Sequence, residues 1–369
     1  MSAVFIAGTM FFSLAFFDNS SAIEWSDAFL RIAREAAIFV VLVTLLVNLR
    51  GKKTVKHARR VVRLGFYCVC GIAALVVVQS VFFALGKYVG IPASYFIANG
   101  NTVPGWRAYQ YFHQRPMGTY GEPSYAGYIF LSFVVMFYPY AHKFHLARLA
   151  LFTAVFAGIL TRSLGFLVAL TFLAPFLLSH AMKSGSFLNS KSRKNLGLLA
   201  FLSIVVVGSA NFEIIGTTLG RVGSDGAVDV SSIGRIVIPI QLMGDYIASH
   251  PVGMPFVQAA IEVSSAYHSA GYSSPTLDNA VFNFFFAYGI FGFGIFICVL
   301  GAASDWTLRT YLFLAASFNG AFLSVDKLGV ICLVVVLYES GKVLLLQEGT
   351  KQVTGRSSVM SIASNPPEI

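Results

Sequence analysis

The chain has 369 residues, of which 56% are hydrophobic and 11% charged, with a formal net charge of +10. Soluble domains carry about 25% charged residues, so this composition excludes a string of soluble domains and points to one polytopic membrane domain. Its four cysteines, Cys68, Cys70, Cys298 and Cys332, all lie inside apolar runs. The "CVC" spacing is not a zinc pattern and no partner cluster accompanies it, so neither a disulfide framework nor a metal site is expected.

Ten apolar runs are candidate membrane spans, at about 3–17, 28–49, 64–86, 122–140, 146–160, 163–181, 196–210, 280–301, 307–322 and 328–346. A span needs about 20 residues, so the runs at 3–17, 146–160 and 196–210 are short, and 146–181 also reads as a re-entrant pair. The first run lacks a basic leader and a small-residue cleavage site, so it is expected to be a span. Sidedness follows from Lys and Arg. Residues 50–63 hold seven of them, 142–148 two and 182–195 four; with Arg309 and the tail, 17 of the 26 fall on one side. That side is expected to be cytoplasmic, with both termini on it. The +10 is then a topology signal and not a nucleic-acid footprint. The expected organisation is a single transmembrane domain at 1–346, followed by a polar tail, 347–369, expected to be disordered.

Two segments on the opposite side, about 87–121 and 211–279, are long for loops. Loops beyond about 15 residues are commonly functional or disordered, and both of these mix Gly, Pro, aromatics and a few charges, as binding loops do. Within the second, "QLMGDYIASHP" is expected to form a short interfacial helix. No internal repeat is visible.

The polar residues of the outward side carry the chemistry. Arg31, Arg34, Arg107, Arg115, Arg162, Arg221 and Arg235 are placed there against the positive-inside bias. The planar guanidinium grips phosphate bidentately, so an outward cluster suits a phosphorylated lipid or an acidic glycan; headgroup contact is the plainer alternative for each. Arg162, in "GILTRSLGFL", has almost no loop around it, and an ionisable residue at such depth is a functional candidate or a snorkelling arginine at a tight turn. Glu122 precedes Pro123, a helix-starting proline; it reads as a carboxylate on the helix dipole, as a partner of an outward arginine, or as a base. His250, in "SHPVGMP", is the side chain type whose ordinary titration lies nearest neutral pH. Asp278 or Asn279 is expected to cap the helix that opens "TLDNAVFNFFFAYGIFGFGIF". No phosphate-binding loop, nucleophile elbow or zinc motif occurs.

Taken in order, "RPMGTYGEPSYAG", "TRSLGFLVAL", "GRVG", "SSIGRIVIPIQLM", "SHPVGMP" and "LDNAVFNFFFAYGIFGFGIF" resemble the Wzy-type O-antigen and exopolysaccharide polymerases, nearest the colanic acid polymerase type, over about residues 100–335. The related O-antigen ligases share the plan. The resemblance implies an all-α polytopic membrane protein of about 10 transmembrane helices, GT-C-like, with two long periplasmic loops, in the bacterial inner membrane. It implies polymerisation of undecaprenyl-diphosphate-linked oligosaccharide repeat units by a metal-independent glycosyltransferase without a cofactor, with a chain-length regulator as a further partner. Ligation of finished glycan, or transport of lipid-linked sugar, are the alternatives. By motif, Arg115 and Glu122 match the "R…EPS" element. Arg162 matches an "SR" element, although the order here is "TRS". Arg221 and Arg235 match the loop arginines, and His250 the histidine before "P.G". On this reading Arg235, Arg221, Arg162 and Arg115 face the diphosphate, and His250, then Glu122, is the base.

Overall fold

The structure is a computed structural model and describes residues 25–48, 58–87, 116–118, 123–141, 143–183, 238–253, 265, 279–318 and 327–343. Among these residues all regular structure is helical. In chain order the helices are α1 (Trp25–Asn48), α2 (Ala58–Ala84), α3 (Pro123–Phe137) with the 3-10 turn Tyr138–Tyr140, α4 (His145–Leu160), α5 (Leu164–Lys183), α6 (Ile238–Ser249), α7 (Ala280–Ala302), α8 (Trp306–Ser317) and α9 (327–343). Eight of these fall on expected spans, and α6 is the short helix expected within "QLMGDYIASHP". The runs at 3–17 and 196–210 lie outside the described residues. Ala58–Ala84 and Val281–Ala302 are long and apolar enough to cross a bilayer. On α2, Val62, Val69, Ala73, Val76 and Phe83 are buried while Leu64, Tyr67, Val77, Val78 and Val81 are exposed. An apolar helix with an apolar exposed face is one whose solvent is lipid.

The chain divides into two compact units: 1–48 with 195–332, and 49–194 with 333–369. In the second, α3 is buried nearly all round, from Ala126 to Val135. Around it pack α2, α4 and α5. Small residues set the spacing: Ala147, Ala150, Ala154, Ala157 and Gly158 form the buried stripe of α4, which lets backbones approach closely. At one end of this bundle Gly127 of α3 faces Ser163 and Phe166, and Gln79 of α2 meets Met117 and Gly118. At the other end Gly65 faces the Phe137 ring, the Tyr138 hydroxyl donates to the Leu177 carbonyl, and the Tyr140 hydroxyl donates to Leu337 O at 2.9 Å. Consecutive helices α2 to α5 therefore alternate in direction.

In the first unit, Asn279 is the cap of α7: its Oδ1 accepts from Val281 N–H at 3.0 Å. Asp305 caps α8 in the same way through Leu308 N–H, also at 3.0 Å. The Phe318 carbonyl at the end of α8 accepts from the fully buried Lys327 Nζ at 2.9 Å, a cation on helix-terminal carbonyls. α1 meets α7 through Glu35 on Tyr288 and Phe39 on Phe284. That order is antiparallel, over one turn of each helix, whereas ten alternating crossings would run α1 and α7 in the same direction. Within this unit, therefore, α1 and α7 do not keep the strict alternation of ten crossings.

A histidine turn docked in a broken helix

The sequence of α7 is almost entirely apolar and carries several glycines, so nothing local forces a break. The break lies at Gly289, with φ 58° and ψ −140°. An unbroken helix would bond Ile290 N–H to Phe286 O. Both groups are instead satisfied by one outside segment: Ile290 N–H donates to Pro251 O at 3.2 Å, and Phe286 O accepts from the Tyr246 hydroxyl at 2.9 Å. The α6–turn segment thus replaces one rung of the α7 ladder with two bonds of its own, which meets the need of every backbone polar group at this depth.

His250 sits between those two anchors. Its N–H donates to Tyr246 O at 2.7 Å, and its carbonyl accepts from Gly253 N–H at 3.0 Å. The Tyr246 ring packs edge-on against Phe286 at 4.7 Å and lies 5.2 Å from the imidazole. Gly253, at φ 88°, closes the turn on α7, where a Cβ would fall 2.6 Å from Ala287 O and Tyr288 N. His250 Nδ1 is shielded from solvent and has no hydrogen-bond partner among the described residues. A buried polar atom left unmatched costs about 1–3 kcal/mol, so such a group inside a well-bonded turn calls for a physical reason. A ring nitrogen held this way suits proton acceptance or a hydrogen bond to a bound hydroxyl.

The second unit holds Arg162, at the tight turn joining α4 and α5. It is exposed and has φ 52°, the left-handed region. The turn is rigid: Thr161 Oγ1 donates to Gly158 O at 2.6 Å, Arg162 N–H donates to Ile159 O at 2.9 Å, and Phe166 N–H donates to Ser163 Oγ at 3.3 Å. Ser163 lies against Gly127, one turn inside the start of α3. The turn bearing Arg162 is therefore placed beside the first turn of the helix that follows Glu122. A left-handed backbone conformation of this kind costs about 1 kcal/mol in a non-glycine residue. Arg162→Gly is expected to be neutral to about 1 kcal/mol more stable while losing activity, and Arg162→Lys to recover only part of it. Thermal unfolding in detergent and a polymer assay on the same samples check this; full activity in the glycine variant would remove Arg162 from the site.

Of the other expected site residues, Arg115, Glu122, Arg221 and Arg235 lie outside the described residues, as does Arg107. Arg34 is exposed on α1. Several buried polar side chains among the described residues escaped the sequence reading, Lys327 and Glu339 as well as Glu35 and Gln79. Glu35 accepts from the Tyr288 hydroxyl at 2.6 Å. Gln79 clamps the segment next to Arg115: its Oε1 accepts from Met117 N–H at 2.9 Å and Gly118 N–H at 2.8 Å, and its Nε2 donates to Gly118 O at 2.9 Å. The available signal was a polar residue inside an apolar run, which is costly and seldom idle.

A family model described as WcaD colanic acid polymerase matches residues 3–348. No curated protein and no solved structure matches the chain.

Proposed function

Because the chain belongs to the WcaD colanic acid polymerase family, and so is a membrane-embedded polysaccharide polymerase joining lipid-linked repeat units into exopolysaccharide, we propose that His250 is its proton acceptor. The observation that carries this is the unmatched, shielded Nδ1 in a turn pinned at both ends to the break in α7. The donor is an undecaprenyl-diphosphate-linked glycan at the periplasmic face of the inner membrane.

The acceptor hydroxyl oxygen attacks the anomeric carbon of the donor glycan. The bond from that carbon to the diphosphate oxygen breaks, and its electron pair leaves on the diphosphate. The hydroxyl proton goes to His250, with Glu122 as the second choice. A diphosphate already leaves well, so the remaining demand is stabilisation of its charge, which arginines in a low-dielectric site supply. Arg235 and Arg221 take that role, with Arg162 and Arg115 beside them. A chain-length regulator is the further protein partner.

A transport reading calls for a broken helix whose freed backbone groups receive the cargo. α7 is broken, but Pro251 and Tyr246 of the same chain occupy the freed groups, which favours bond formation over passage. The test is Arg235→Ala: lipid-linked single repeat units are expected to accumulate unpolymerised. Long polysaccharide persisting in that variant would overturn the assignment.

A further inference from the structure

We infer that Glu35 is a positioning residue for the reaction, holding α7 in the orientation on which the His250 turn rests. The inference builds on the reading of His250 given above. Glu35 lies in the third turn of α1 and is 6% exposed, and its partner Tyr288 is 3% exposed. A carboxylate inside an apolar helix is expensive, so it persists where something is gained. Its 2.6 Å bond from the Tyr288 hydroxyl has the length of a charge-assisted O–H to carboxylate contact. One turn on, Phe39 packs edge-on against Phe284 at 4.8 Å, and Phe284 lies 5.0 Å from the Tyr288 ring. α1 therefore grips α7 over the single turn that ends at the break.

That location matters because α7 has given up its own ladder bond there. Helices kink where the ladder is interrupted, so the direction of the turn before Gly289 must be fixed by something outside α7. The Tyr288 N–H and the Ala287 carbonyl are the floor beneath Gly253, each 2.6 Å from where a Cβ on that glycine would stand. A rotation of Tyr288 out of the grip of α1 would tilt this floor, and Pro251 and His250 with it. Glu35 acts on the turn through Tyr288 and the backbone, without touching the reacting atoms.

The experiment uses the full-length protein in detergent or vesicles with lipid-linked repeat units. Tyr288→Phe, which removes one hydroxyl, and Glu35→Ala are expected to lower kcat about tenfold with KM within about twofold. Glu35→Gln, whose amide oxygen still accepts from Tyr288, is expected to restore kcat to within about threefold of wild type. Tyr288→Phe combined with His250→Ala is expected to be no slower than His250→Ala alone, because both changes act on one group. Additive losses, or a glutamine variant no better than alanine, would overturn the inference. So would wild-type kcat in Tyr288→Phe when His250→Ala is slow; that outcome leaves His250 standing. Unchanged turnover in His250→Ala would sink the reading of His250 and the inference together. If Glu35→Ala fails to accumulate in the membrane, Tyr288→Phe decides the matter alone.

Discussion

Replacing Gly289 with alanine is expected to cost the first unit about 3 kcal/mol or more and to abolish polymer formation. Two independent penalties combine. The residue has φ 58°, where a side chain costs about 1–3 kcal/mol. The new Cβ would also overlap Pro251 O and stand 2.6 Å from Gly253 N and 2.7 Å from Val252 C. These are backbone atoms of a bonded turn, so no side chain can swing aside to relieve the contact. Either the turn leaves the break, orphaning Ile290 N–H and Phe286 O, or α7 straightens and expels it. Both routes displace His250. Gly294→Ala is the control: nothing lies within 4 Å of its Cβ and its φ is not positive, so alanine there is expected to be neutral or slightly stabilising. Thermal unfolding of the two purified variants, with polysaccharide length on a gel, checks the contrast. Equal behaviour of the two would mean that the docked break does not exist in the working protein.

His250→Ala is expected to slow polymerisation by about 10²- to 10⁴-fold, the usual contribution of a positioned general base, which is about 3–5.5 kcal/mol of barrier. The protein should still accumulate in the membrane. The bonds that build the turn come from the backbone of residue 250 and from Tyr246, Pro251 and Gly253, and the imidazole adds one ring contact with Tyr246. A stable variant with intact repeat-unit binding and no bond formation is the expected pattern. Turnover within a few-fold of wild type would assign proton acceptance elsewhere, with Glu122 next to be replaced. The two variants also separate causes: Gly289→Ala loses shape and chemistry together, whereas His250→Ala loses chemistry alone.

Much of this protein is legible in its sequence, for reasons that are local. A run of apolar residues declares a helix in lipid, because no other backbone arrangement hides its polar groups. The helices α1 to α5 and α7 to α9 accordingly fall where those runs lie. Asn279 at the head of α7 was one of two expected caps, and a cap is read from the two or three residues around it. The ordered motifs also point to the family whose model matches residues 3–348.

Other features depend on partners far along the chain. "FAYGIFGFG" offers three glycines within six residues, and the sequence does not mark which one breaks. Gly289 does, because a helix gives up a ladder bond only where another segment supplies both a donor and an acceptor, and Tyr246 and Pro251 do so there. Glu35 and Gln79 stand out in sequence only as polar residues in apolar runs; their roles come from Tyr288, 253 positions away, and from Met117 and Gly118, 38 and 39 positions away. The reversed order in which α1 meets α7 is likewise a matter of packing. The sequence by itself determined the helices, their apolar faces and the chemistry on offer, because propensity and hydropathy are summed over near neighbours. Only the tertiary structure decided where α7 breaks and that His250 Nδ1 is left shielded and unmatched there, because hydrogen bonds between distant segments choose their partners in space.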